Sequence, residues 1–127
     1  MKNDYSEWIS KAEEDLTTCR ALMDIEYPPF SVICYHAQQM AEKYIKAYLT
    51  FKEIEFKKTH DIILLLDEYC ISDDDEFNNI RDDAFILSDY SINTRYPGDY
   101  FPLNRNDADE AIDASCKIKN FIISKII

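Results

Sequence analysis

Glycine is almost missing from this chain: Gly98 is the only one among 127 residues, and the prolines number four. Sandwiches and barrels need many turns with special backbone dihedrals, which glycine and proline usually supply. The sequence therefore argues against those folds. Because 46% of the residues are hydrophobic, wholesale disorder is also excluded, and the length fits one domain over residues 1–127.

Apolar residues recur at three- and four-residue steps through most of the chain, a pattern that predicts amphipathic helices. The second of these segments carries the broadest stripe, which runs over about five turns. A stripe this wide predicts a central helix with two or more neighbours. Its members are Phe30, Ile33, Cys34, Ala37, Met40, Ala41, Tyr44, Ile45, Tyr48 and Leu49.

The predicted ends of the other helices rest on local signals. Tyr-Pro-Pro at 27–29 ends the first helix, because proline lacks a backbone donor and disfavours helix in the residue before it. Thr59 is expected to cap a short third helix, the acidic run 72–76 a fourth, and Asn106 a fifth. Short connections favour antiparallel neighbours. We therefore expect an all-α, up-and-down bundle of about five helices, four long and one short.

The charge is strongly acidic and unevenly spread. A net charge of -11 makes a nucleic-acid binder coated in Lys and Arg unexpected. Five lysines nevertheless lie between Lys43 and Lys58, whereas Arg81 is the single base among nine acids from Asp67 to Asp89. The basic stretch predicts either a solvated helix face or a local patch that meets a phosphate or an acidic partner.

Several classes of protein lack support in the sequence. The longest apolar run is too short to cross a bilayer and no leader is visible, so we expect a soluble cytoplasmic protein. The isolated cysteines at 19, 34, 70 and 116 are expected to be buried and reduced. No phosphate-loop, zinc-protease or calcium-loop pattern occurs. His36 lacks a Glu three residues before it, where Ile33 stands, so neither a metal site nor a cofactor is predicted.

Four stretches together resemble a known family. They are WISKAEEDLTTCRAL at 8–22 with its A-x-x-D-L spacing, YHAQQMAEKYIKAYL at 35–49, THDIILLLDEY at 59–69 after a basic hinge, and NTRYPGDYF at 93–101. This combination resembles the HEPN domain family (higher eukaryote and prokaryote nucleotide-binding). The resemblance implies a five-helix bundle that usually forms a homodimer and is often encoded beside a minimal nucleotidyltransferase.

The resemblance also implies two kinds of activity. Some members are metal-independent endoribonucleases that act as toxins, and others are nucleotide-binding or non-catalytic partner modules. The nuclease branch carries an arginine followed, after four to six residues, by a histidine. Here Arg95 matches the arginine, but Tyr100 occupies the histidine position and no histidine follows His60. A tyrosine, with an ordinary pKa of about 10, accepts protons poorly at neutral pH.

The sequence therefore predicts a non-catalytic HEPN-type homodimer that binds a nucleotide or RNA, or pairs with a nucleotidyltransferase. The candidate ligand-binding residues are Arg95, Tyr96, Asp99, Tyr100, His36, Gln39 and Lys43. One alternative is a ribonuclease toxin that uses Arg95 with an atypical base, for which His36 is a candidate. Another is a purely structural or adaptor dimer, in which excess aromatics (Tyr35, Tyr44, Tyr48, Phe51, Phe56 and Tyr69) serve an interface. The loop tyrosines can also simply pack into the end of the bundle.

Overall fold

The computed structural model describes residues 4–91 and 102–127. Within these ranges all regular secondary structure is helical, which confirms the predicted all-α bundle. The helices are α1 (Tyr5–Met23), α2 (Phe30–Phe51), α3 (Ile62–Leu65), α4 (Arg81–Leu87) and α5 (Arg105–Ile126). A π-helical turn, Leu66–Cys70, extends α3. Two 3-10 turns, Asp75–Ile80 and Ser88–Tyr90, flank α4, so the fourth helical run is longer than α4 itself.

Helix α2 lies at the centre, as its broad apolar stripe predicts. It packs along its length against α1 and α5, and it also contacts α3 and α4. Ile33, Ala37 and Leu49 have no exposed surface. Full burial of one large apolar side chain stabilises a fold by roughly 1.5–3 kcal/mol, so α2 organises most of the core.

A group of aromatic rings joins three parts of the bundle. The ring centroid of Phe77, in the turn before α4, lies 4.6 Å from that of Tyr48 on α2. The same ring lies 4.9 Å from that of Phe121 on α5 in an edge-on arrangement. Edge-on aromatic pairs add to the stabilisation from burial. This contact therefore fixes the start of the fourth helical run against both long helices.

The third helix begins two residues later than the sequence predicts. Its N-cap is Asp61, whose Oδ1 accepts a hydrogen bond from the backbone N–H of Leu64 at 3.1 Å. The Thr59 hydroxyl instead accepts from the N–H of Asp61 at 3.1 Å. Thr59 therefore shapes the turn before the helix, and the prediction that it caps α3 was wrong.

The fifth helix begins earlier than predicted. Asn104 is the N-cap: its side chain accepts from the N–H of Asp107 at 3.0 Å, and the Asp107 carboxylate accepts from the N–H of Asn104 at 2.8 Å. This reciprocal pair satisfies two backbone donors at once, so Asn106 already lies inside the first turn. For the fourth run the predicted acidic cap is confirmed, since Asp74 accepts from the N–H of Glu76 at 3.0 Å.

In the described ranges, no helix combines the length and the apolar character needed to span a membrane.

Candidate functional site

His36 and Lys43 lie on one side of α2, because residues seven apart are separated by about two turns of helix. One carboxylate from α1 contacts both. Asp15 Oδ1 lies 2.8 Å from His36 Nδ1, and Asp15 Oδ2 accepts a hydrogen bond from Lys43 Nζ at 2.7 Å. Asp15 is buried, so this ionic group is held inside the α1–α2 contact. The arrangement fixes an imidazole and an ammonium group side by side.

Part of each of these two side chains still reaches solvent. The His36 side chain is 28% exposed and that of Lys43 is 23% exposed. A carboxylate only accepts hydrogen bonds, so a hydrogen lies on His36 Nδ1, and Nε2 is left for another partner. The ammonium of Lys43 has three protons, of which Asp15 takes one. The pair therefore retains capacity to contact a polar ligand.

Asp15 is a functional candidate that the site prediction missed. The sequence shows it only as part of the A-x-x-D-L spacing. An acidic residue between the buried Ala12 and Leu16 on the core-facing side of α1 is a signal that a partner lies opposite, because buried carboxylates are normally paired. Its partners His36 and Lys43 are 21 and 28 residues away in sequence.

Gln39 points into the protein. It is 8% exposed, and its amide nitrogen donates to the Gln38 side-chain oxygen at 2.8 Å. The same nitrogen lies 3.5 Å from Glu42 Oε1. These contacts occupy much of its hydrogen-bonding capacity, so Gln39 is the least available of the three described candidates.

Glu42 is the centre of a second polar group on α2. Its carboxylate accepts from Lys46 Nζ at 2.8 Å and lies 3.1 Å, through both oxygens, from Nδ1 of His60. The Glu42 and Lys46 side chains are 3% and 8% exposed. The ammonium of Lys46 also lies 5.5 Å from the ring centroid of Trp8 on α1. For Lys46, which lies in the basic stretch 43–58, the solvated helix face is therefore the wrong prediction, because α2 has neighbours on several sides.

His60 is exposed, but it is firmly held. Its side chain is 71% exposed while Nδ1 contacts Glu42. Its main-chain oxygen accepts from the side-chain amide of Gln38 at 3.0 Å. Both the backbone and the imidazole of His60 are therefore attached to α2.

Arg95, Tyr96, Asp99 and Tyr100 lie outside the described residues, so the geometry covers only His36, Gln39 and Lys43 of the predicted site. The approach of His36 to a phosphate held by Arg95 stays a prediction for the same reason. In the parts of the chain that the structure describes, no three potential metal ligands converge.

Two of the six aromatics expected at an interface are covered within the chain itself. Tyr44 and Tyr48 are buried, and their hydroxyls donate to the carboxylates of Glu13 and Asp73. Burial, together with these carboxylates, raises the pKa of both tyrosines. The exposed large apolar residues of the described ranges are Ile25, Tyr27, Phe85 and Ile127. These four are therefore better candidates for a contact with another chain.

Comparison with known proteins identifies the relatives of this chain. The model of the HEPN domain matches residues 5–126. A protein of Methanocaldococcus jannaschii, named as a candidate toxin (MJ1304), is 31% identical over 119 residues, which cover 83% of this chain and 76% of that protein. The crystal structure of ST0689, an archaeal HEPN homologue, is 32% identical and covers both chains completely with a TM-score of 0.77. The domain match over nearly the whole length, on an all-helical fold of the same shape, places this chain in the HEPN domain family.

Proposed function

We propose that this protein is a non-catalytic HEPN-type module, a homodimer that binds a nucleotide or pairs with a minimal nucleotidyltransferase in a two-gene system of the toxin–antitoxin kind. We regard residues 1–127 as its single domain. One observation carries the non-catalytic part. The chain has two histidines, neither follows Arg95, and the Nδ1 atom of each contacts a buried carboxylate, Asp15 or Glu42. The proton carrier of the family's nuclease branch is therefore missing from its place.

The proposed ligand site combines Arg95, Tyr96, Asp99 and Tyr100 with the polar side of α2. An arginine presents a planar fork of donors that matches a phosphate. Lys43, whose ammonium donates one hydrogen bond to Asp15, adds a second cation, and His36 Nε2 adds a hydrogen-bonding group. A tyrosine ring offers a surface on which a base can stack.

Calorimetric titration with ATP and its analogues tests the nucleotide part. Arg95→Ala and Lys43→Ala should each weaken binding, by about tenfold for the loss of one charge-assisted hydrogen bond. Lys11→Ala is the matched control, because it also removes one lysine charge. The Lys11 side chain is 66% exposed on α1, and its Nζ lies 4.0 Å from Glu14 Oε1. Absence of binding at millimolar nucleotide overturns this part and leaves the partner-protein part to be tested by co-purification with a nucleotidyltransferase.

The homodimer has its own test. Light scattering at micromolar concentration should give twice the chain mass of 15.0 kDa. Phe85→Asp, which places a charge on one of the exposed apolar residues, should shift the mass toward the monomer if α4 takes part in the contact. A monomeric mass for the unaltered protein contradicts the dimer.

A ribonuclease toxin is the second candidate function, favoured by the name of the relative from Methanocaldococcus jannaschii, a candidate toxin. In that case Arg95 stabilises the negative charge that develops on the scissile phosphate. A group other than the family's histidine then accepts the proton of the attacking 2'-hydroxyl. Overexpression should then slow growth and fragment cellular RNA, and Arg95→Ala should abolish both effects. Normal growth with intact RNA excludes this function.

A further inference from the structure

Asp15 is the charged member of the buried face of α1, whose other buried residues are Ala12, Leu16 and Cys19. These three apolar side chains already belong to the core that joins α1 to α2. A buried ion pair adds little stability, because the cost of taking its charges out of water offsets much of their attraction. Packing alone therefore gives no reason for a carboxylate at this position.

Asp15 determines which nitrogen of His36 carries the hydrogen. Its Oδ1 lies 2.8 Å from His36 Nδ1, and a carboxylate has no hydrogen to donate, so the hydrogen is on Nδ1. In the neutral ring Nε2 then holds a lone pair and accepts hydrogen bonds. The ring of Tyr35 meets the imidazole edge-on, with centroids 5.3 Å apart and planes at 76°. The orientation of the imidazole is therefore set by two contacts.

The second oxygen of the same carboxylate holds a cation. Asp15 Oδ2 accepts from Lys43 Nζ at 2.7 Å, and the side chains of His36 and Lys43 are both partly exposed. The two groups make opposite demands on a ligand. His36 Nε2 requires a hydrogen-bond donor, whereas the ammonium of Lys43 requires an anion or another acceptor. One carboxylate therefore places two complementary requirements side by side.

These requirements separate the chemical groups of a nucleotide. A phosphate meets the demand of Lys43 alone, because its oxygens accept hydrogen bonds. The amino group of a base donates, but the sugar separates it from the phosphates. A ribose hydroxyl donates a hydrogen bond and lies next to the phosphates. The combination of a phosphate with a neighbouring hydroxyl satisfies both groups at once.

We infer that Asp15 is a positioning residue that makes this side of α2 selective for a phosphate ester with a neighbouring ribose hydroxyl. The hydroxyl donates to His36 Nε2 while the ammonium of Lys43 contacts the phosphate. This inference rests on the proposed nucleotide function and adds to it which part of the nucleotide the partners of Asp15 recognise.

The first measurement is the position of the ring hydrogen, read by nitrogen-15 NMR on the intact chain at neutral pH. In Asp15→Asn, which keeps the shape of the side chain, the amide oxygen should face Lys43, because an ammonium only donates. The amide NH₂ then faces His36 Nδ1, so the hydrogen should move to Nε2. His36→Phe identifies the signals that belong to this ring. A hydrogen on Nε2 in the unaltered protein, or one that stays on Nδ1 in Asp15→Asn, overturns the inference.

The second measurement is calorimetric titration with ATP and with its 2'-O-methyl and 3'-O-methyl ethers. An ether oxygen accepts but cannot donate. The unaltered protein should therefore bind ATP about threefold to tenfold more tightly than one of the ethers, the effect of one lost hydrogen bond. In Asp15→Asn the Nε2 hydrogen can meet the ether oxygen, so this ratio should fall toward one. The steric effect of the methyl group is common to both proteins and cancels in the comparison.

Two further variants test whether the effect is local. Glu14→Gln removes one carboxylate charge from the outer side of α1, where the Glu14 side chain is 68% exposed, and it should leave the ratio unchanged. His36→Phe removes both ring nitrogens without altering the buried carboxylate. It should lower the ratio as Asp15→Asn does, and it provides the test if Asp15→Asn fails to fold.

The results separate this inference from the function on which it rests. If the unaltered protein binds no ATP, the proposed nucleotide function is overturned and the inference with it. If ATP binds but neither ether binds more weakly, the inference alone is overturned. The same holds if Glu14→Gln lowers the ratio as much as Asp15→Asn. A ratio that falls only in Asp15→Asn and His36→Phe supports the inference.

Discussion

Lys46 Nζ donates to Glu42 Oε2 at 2.8 Å, and both side chains are almost completely buried between α2 and its neighbours. Removing one member of a buried ion pair costs about 3–5 kcal/mol where the other charge is left without any partner, but Glu42 keeps its contact with His60 Nδ1 at 3.1 Å. Lys46→Met should therefore lower the free energy of unfolding by about 3 kcal/mol, the lower end of that range, measured by urea denaturation. Combining it with Glu42→Leu should recover part of the loss. A loss no larger than that of an exposed lysine, such as Lys11→Met, contradicts this prediction.

The cap of α5 supports a second stability prediction. Asn104 and Asp107 exchange hydrogen bonds between side chain and backbone, so Asn104→Ala should cost about 1 kcal/mol. Asn106→Ala, two residues further along, removes no side-chain hydrogen bond to a described residue and should change the stability by less than about 0.5 kcal/mol. Thermal unfolding of the two variants side by side makes the comparison, and equal losses would contradict the assignment of the cap.

The four cysteines should differ in reactivity. Burial raises the pKa of Cys19, Cys34 and Cys70 to about 12 in each case, which keeps them as unreactive thiols. Cys116 is partly exposed. Iodoacetamide at neutral pH should therefore add one label to the folded protein and four after denaturation, as counted by mass spectrometry. Cys116→Ser should remove the label of the folded state, and rapid labelling of a second cysteine contradicts the prediction.

The Asp67–Arg81 pair should contribute to acid sensitivity. Hydrogen bonds from the Arg81 guanidinium, at 3.0 and 2.9 Å, hold the pKa of Asp67 below its ordinary value of 3.8. A carboxyl with a lowered pKa in the folded state stabilises the fold above its ordinary pKa, and this contribution is lost as the pH falls through the folded value. As the pH falls below 3.8, the Asp67→Asn variant should therefore lose less of its free energy of unfolding than the unaltered protein does.

Asp82→Asn is the matched control for that experiment, since Asp82 makes no ion pair with the described residues. Both variants are compared by urea denaturation at a series of acidic pH values. Parallel curves for Asp67→Asn and the unaltered protein would show that the pair does not contribute. Both side chains of the pair are more than two-fifths exposed, so the difference should be small and should shrink in high salt.

The features that the sequence predicts correctly depend on neighbours along the chain. Periodicity is local, so the apolar stripe of α2 predicts both its existence and its central place. The burial of Glu42 and Lys46 depends on how many helices surround α2, which no local pattern contains. The partnership of Asp15 with His36 likewise spans 21 residues. The helix caps are an intermediate case. The sequence predicts the caps of α3 and α5 at Thr59 and Asn106, each two residues from the observed caps Asp61 and Asn104. Several residues that can cap a helix lie close together at both places, so the local pattern does not single out one of them.

The candidate site divides in the same way. Arg95 and its neighbours come from a resemblance to the family, and their geometry stays a prediction. His36 and Lys43 are predicted from their positions on the second helix. The structure adds the Asp15 carboxylate, which contacts both side chains. The structure also brings residues 59–61 next to residues 88–91, where both segments line a cavity of about 510 Å³, and no local sequence pattern predicts that these two segments meet.

The contact between Lys46 and Trp8 has a practical consequence. Trp8 is the single tryptophan of the chain, and its ring faces a buried ammonium that belongs to α2. A nearby positive charge alters the emission of an indole, so we expect the tryptophan emission of this protein to respond to the seating of α1 on α2. A ligand or partner that shifts these two helices relative to each other should therefore change the Trp8 emission without any added label.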